Sequence, residues 1–273
     1  MSMKNYTVIM LFIFLIFNIS GCKNIDSSAY QQEDNINNNG NNPMEVKYHP
    51  KTRKQLRKLV SDESVKLWEI DTSNITDMHN LFYQSGRKDF TGIENWNVSK
   101  VKDMSGMFKY TAINHNLNSW DTSNVENMHE MFFSAVFFNG DISSWNVSNV
   151  KDMSLMFEYA VRFNQNIGLW DVSNVKDMSR MFVGAKHFNQ DIGNWNTENV
   201  VDMNRMFIDN VEFNQDISSW NVSNVENMDY MFCNAFKFNQ DLSSWNISKV
   251  MQMENMFLGT PLENNPPTWY KVK

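Results

Sequence analysis

The chain has 273 residues, a formal charge of -7 and 20 methionines. The acidic balance argues against nucleic acid as the main partner. Length alone suggests one or two globular domains, but a repeat overrides that count. All nine tryptophans, from Trp68 through Trp145 to Trp269, fall in register at spacings of 28, 24, 25, 25, 25, 25, 25 and 24 residues. One such unit cannot bury its apolar face alone, so only stacked neighbours make a continuous core.

In chain order, Lys4 and the apolar run from Val8 to Phe17 lead into Ile19-Ser20-Gly21-Cys22. The run is too short to span a bilayer and reads as an export signal over residues 1–21. Small residues before a cysteine resemble the bacterial lipobox. That resemblance implies an acylated Cys22 that holds the chain on a membrane without spanning it. Residues 22–45 are polar and Asn-rich, so they read as a disordered tether. Residues 46–67 form the next segment, in which the apolar Leu56, Leu59 and Val60 fall at i, i+3 and i+4. A short amphipathic helix is expected there, capping the open end of the core. Its cluster Lys51, Arg53, Lys54, Arg57 and Lys58 suits a solvated cap face, with attraction to anionic lipid or glycan as the alternative.

The repeats occupy residues 68–260, followed by a C-terminal cap over 261–273. In the unit that starts at Trp145, Asp152 precedes Met153, Met156, Phe157 and Ala160, the i, i+3, i+4, i+7 pattern of a two-turn helix with Asp152 at its N-cap. Fifteen of the methionines occupy these two Met slots and are core. A short parallel strand is expected near Ile167 to Val172. Asn149, Asn174, Asn199 and Asn224 suggest a ladder in which each amide satisfies backbone groups of the next coil. The fold class is therefore α/β, a solenoid of about eight 25-residue units, each a short helix plus a short parallel strand or turn.

The pattern Phe-Asn-Gln-Asp-Ile-x-x-Trp-Asn-Val-Ser-Asn-Val-x-x-Met-x-x-Met-Phe is nearly complete at Phe213 to Phe232. It resembles the 25-residue lipoprotein repeat of BspA-like bacterial surface proteins, which are grouped with leucine-rich-repeat-like proteins. The resemblance implies surface display at the cell surface or outer membrane and adhesion to a host or neighbouring-cell protein. It supplies no catalytic residue.

The residues themselves point the same way. His49, His79, His115, His129 and His187 show no metal-ligand spacing with cysteine or carboxylate, so no metal site is expected. Cys233 has no internal partner once Cys22 is acylated, and no acid, base or nucleophile constellation appears. No enzyme and no cofactor are expected. Asp191, Asp216 and Asp241 recur every 25 residues without the spacing of a calcium loop. Function is expected in the variable slots: Tyr110, Phe133, Phe137, Tyr159, Val161, Val183, Ile208, Val211 and Phe236. These nine either form a binding strip or pack between units. The leading reading is a lipid-anchored surface protein whose partners are the membrane, through Cys22, and another protein. A structural coat and a glycan- or calcium-binding module are the rivals.

Overall fold

The structure, a computed structural model, describes residues 45–270. The export signal, Cys22 and almost all of the tether lie outside the described residues. Residues 44–273 form one compact unit. Helix α1, Arg53–Val60, opens it, with Thr52 Oγ1 accepting from the Gln55 amide at 3.3 Å. Leu56 and Val60 of α1 are fully buried at the start of the core.

The units that follow contain neither the expected short helix nor the expected strand near Ile167 to Val172. Among the described residues, α1 is the single α-helix, three 3-10 turns accompany it, and pairing is confined to isolated parallel bridges. Seven of these bridges run along one slot, from Asp77↔Asp103 to Asn227↔Gln252. The parallel contact thus falls at the aspartate slot. Residues 167–172 instead turn, with the Trp170 amide bonded to Ile167 O at 3.1 Å.

Over residues 153–160 the backbone is a ribbon of successive turns. The amides of Met153, Leu155, Phe157 and Tyr159 donate to Asp177, Ser179, Met181 and Val183 of the next unit at 3.0, 2.9, 2.9 and 2.7 Å. The amides of Met156, Glu158 and Ala160 close turns onto residues three back, at 3.2, 3.1 and 2.9 Å. Leu155 and Tyr159 sit at φ 58° and 57°, which a right-handed helix cannot contain. Each turn brings the chain back to the same side, so Met153, Met156, Phe157 and Ala160 all face the core. Helical spacing and a ribbon of turns therefore share one hydrophobic pattern. The ribbon wins because a two-turn helix is marginal by itself, whereas alternate amides here find carbonyls in the neighbour. Asp152 does cap a backbone amide: its Oδ1 accepts from Ser154 N at 2.9 Å, in a turn rather than at a helix start.

The core is built of columns. Phe132, Phe157, Phe182, Phe207 and Phe232 stack nearly parallel at centroid distances of 5.6, 5.7, 5.6 and 5.6 Å. Trp145 and Trp170 stack likewise at 6.3 Å. From Trp96 onwards each indole N–H reaches back to a carbonyl of the preceding unit, as Trp170 Nε1 does to Ile142 O at 3.2 Å. The asparagine ladder is present but runs to the preceding unit rather than the next: Asn149, Asn174 and Asn199 donate to Ser123, Ser148 and Ser173 carbonyls at 2.7, 2.7 and 2.8 Å.

The four amide rows of the ribbon all point towards the C-terminal end, so the first unit is left with open carbonyls. Two of these are filled by α1: Arg53 Nη1 donates to His79 O at 2.9 Å and Arg57 Nη2 to Tyr83 O at 3.1 Å. Arg87, itself buried, fastens the cap by donating to Val60, Asp62 and Val65 carbonyls at 2.7, 2.6 and 2.9 Å. At the opposite end, the Gly259 amide is taken by the Glu263 carboxylate at 2.8 Å. Cations meet the carbonyl end and a carboxylate meets the amide end, the charge pattern that aligned peptide dipoles favour.

Candidate functional site

The two slots that follow each unit's core phenylalanine, the one at Phe82 included, mix buried and outward side chains, and in the first four units they carry an aromatic ring. Tyr83 and Tyr110 lie 6.0 Å apart, Tyr110 and Phe133 5.3 Å, and Phe133 and Tyr159 6.3 Å, the last two edge to face. Edge-to-face rings at these distances attract one another beyond their buried area. Lys109 Nζ lies 4.7 Å from the Phe133 centroid and pairs with Glu130 at 2.6 Å. Tyr110 stands out of this run at 55% exposure. Burial of its hydroxyl end, with Tyr83 and the carboxylates of Glu130 and Glu158 nearby, pushes its phenol up, so it stays neutral. The result is a partly covered aromatic ridge with one protruding ring and charged groups beside it.

The expected strip divides on this geometry. Phe133 and Val183 are buried, because neighbouring units cover them. Tyr159, Val161, Ile208 and Val211 are half-buried. Tyr110 is exposed, as are Phe137 at 46% and Phe236 at 58%. Phe137 stacks with Arg162, whose guanidinium lies 5.2 Å from the ring. Tyr83 and Lys109 belong to the ridge although their residue types, varying from unit to unit in that slot, gave no sequence signal. Leu169, 90% exposed, stands in a slot where Ser144 and Ser219 instead bond the preceding unit's backbone.

Two polar clusters bear on chemistry. Asp77, His79 and Asp103 offer ligand atoms within 4.8 Å of one another, a grouping that residue spacing did not reveal because the bridge brings the two aspartates together. Asp77 Oδ1 already accepts from the His79 amide at 2.9 Å, and Arg53 Nε lies 3.6 Å from Asp77 Oδ2. A guanidinium thus supplies positive charge at the carboxylate. Elsewhere Ser154 lies 2.7 Å from His129 Nδ1 and donates to Asp152 at 2.5 Å. In a nucleophilic triad the imidazole lies between hydroxyl and carboxylate. Here the hydroxyl proton goes straight to the carboxylate and the imidazole has none to abstract. Asp191, Asp216 and Asp241 each spend Oδ1 on the amide two residues on, at 3.0, 2.9 and 2.9 Å.

Residues 53–170 and 159–269 match the family described as Mycoplasma protein of unknown function, DUF285. The chain belongs to this family. DUF285 is a repeat-containing family related to the BspA-like repeat proteins. The two matches take in α1, the aromatic ridge and the stacked units down to Trp269. No curated protein and no solved structure matches the chain.

Proposed function

We propose that this DUF285 chain is a non-catalytic, lipid-anchored surface protein of the BspA-like kind. Its stacked units serve as a leucine-rich-repeat-like solenoid on which another protein docks. The observation that carries the binding reading is Tyr110, exposed at the crest of the ridge Tyr83, Tyr110, Phe133 and Tyr159. Aromatic anchors beside charged groups are the usual centres of binding energy in protein interfaces. The anchor reading is supported by the run into Ser20-Gly21-Cys22, and the non-catalytic reading by the occupied proton at Ser154.

Purified protein tested against matrix proteins, glycans and calcium separates this from its rivals. Saturable binding of one protein, weakened at least tenfold by Tyr110→Ala, supports it. Glycan or calcium binding alone, or self-assembly without a ligand, overturns it. For the anchor, Cys22→Ala abolishes acyl labelling and releases the chain from membranes; a variant that stays bound and processed ends the lipoprotein reading.

A further inference from the structure

The five basic residues at α1 serve two different purposes. Arg53, Leu56, Arg57 and Val60 face the array, and both arginines are committed to backbone carbonyls of the first unit. Lys54 and Lys58, on the other side of α1, and Lys51, just before its N-cap, are exposed. Among the described residues these three lysines have no ion-pair partner, whereas nearby Lys47 and Lys66 are paired with Glu69 and Asp89. The division follows the chemistry. A planar guanidinium fits a fixed carbonyl, and a flexible ammonium stays hydrated.

Charge is also unevenly spread along the chain. Residues 45–66 hold seven Lys and Arg against three Asp and Glu, while residues 67–273 hold 15 against 25. An anionic surface therefore repels the array and attracts its cap.

We propose that Lys54 and Lys58 on the outward face of α1, together with Lys51 just before its N-cap, form a contact surface for an anionic lipid bilayer. The occupant is chosen by charge complementarity and by where the chain enters, since residue 45 leads directly into the cap. This deepens the reading of Cys22 as an anchor and rests on it for placement. The 23 peptide steps from Cys22 to residue 45 span at most about 80 Å. An anchored chain thus keeps the lysines within that reach of the headgroups, at a raised effective concentration. Each lysine near such a surface contributes about fivefold in binding, so three contribute on the order of 100-fold.

The test uses residues 45–273, whose core is complete within one compact unit and which lacks Cys22. Its partitioning is measured onto vesicles of phosphatidylcholine alone and of phosphatidylcholine with one third phosphatidylglycerol. Binding to the anionic vesicles is expected, lost in high salt and reduced on the order of 100-fold in K51E/K54E/K58E. Near-UV circular dichroism of the tryptophan columns checks that the triple variant is folded. Equal partitioning onto both vesicles, or unchanged binding by the folded variant, overturns the proposal. So does a preference for duplex DNA or an acidic polypeptide over the anionic vesicles. Because the tested protein carries no acyl site, such failures leave Cys22 untouched, and loss of acyl labelling in the full chain is a separate result.

Discussion

The Glu158 carboxylate, fully buried, is gripped by Arg180 of the next unit, with Nε to Oε2 at 2.8 Å and Nη2 to Oε1 at 2.5 Å. Burial pushes the Glu158 carboxyl up, and Arg180 pulls it part of the way back. Removing one partner of a buried pair is costly because the other charge is stranded, typically by about 3–5 kcal/mol. Arg180→Met is expected to destabilise by this amount at neutral pH. A raised native pKa means that the folded state binds the proton more tightly than the unfolded state. The Glu158 contribution therefore grows as pH falls from the raised value towards the ordinary carboxylate range. The variant's deficit relative to wild type should shrink at acid pH. Urea melts of both proteins at pH 8 and pH 5 check this; a deficit that is constant with pH contradicts the assignment.

Gly184 sits at φ +64°, and a Cβ there would lie 2.6 Å from Tyr159 Cδ1. Gly184→Ala combines left-handed strain with a clash, together about 2–3 kcal/mol. In a Tyr159→Ala background the clash vanishes and only the strain, about 1 kcal/mol, should remain. A double-mutant cycle by thermal melting measures the difference.

Ile142 O accepts two bonds, from the Trp145 amide and the Trp170 indole, both at 3.2 Å. Trp170→Phe removes the second and leaves the carbonyl with its first partner. The hydrogen-bond loss should be about 1 kcal/mol, with a further loss from the space the smaller ring leaves in the column. Chemical denaturation monitored by far-UV dichroism reads the total.

Arg87 holds three carbonyls of residues 60–65 while burial lowers its own pKa. Arg87→Met strands those carbonyls and should release α1 before the rest of the array. Limited proteolysis is the check: cleavage within residues 51–66 should precede cleavage elsewhere in the variant and not in wild type.

Much of this was legible beforehand. The tryptophan register, the Met-Phe core slots and the existence of the asparagine ladder, though not its backward direction, follow from side-chain type at a fixed period. The ribbon did not, for two reasons. Its inward positions repeat as a helix's do, and most of its left-handed positions hold residues such as Leu155, Arg180 and Tyr230, with glycine only at places such as Gly106 and Gly184. Exposure in the variable slots was equally hidden. Phe133 is covered because Tyr110 and Tyr159 flank it in adjacent units, whereas Phe236 falls between Val211 and Pro261 in its own slot and remains exposed. Burial there depends on neighbours 25 residues away, and one unit read alone does not contain them.

The common direction of the amide rows gives the array unequal ends. At the start, two arginines of α1 occupy two of the open carbonyls. At the finish, Glu263 takes the Gly259 amide, while those of Met253, Asn255 and Phe257 find no protein acceptor among the described residues. Unfolding in a stacked chain travels from neighbour to neighbour, so it should begin where the last rung is least secured. Amide exchange is then expected to fade in order, fastest in the unit at Met253, slower at Met228 and Met203, and slowest where α1 seals the first turn of the stack. The molecule unravels like a zip that opens from one end.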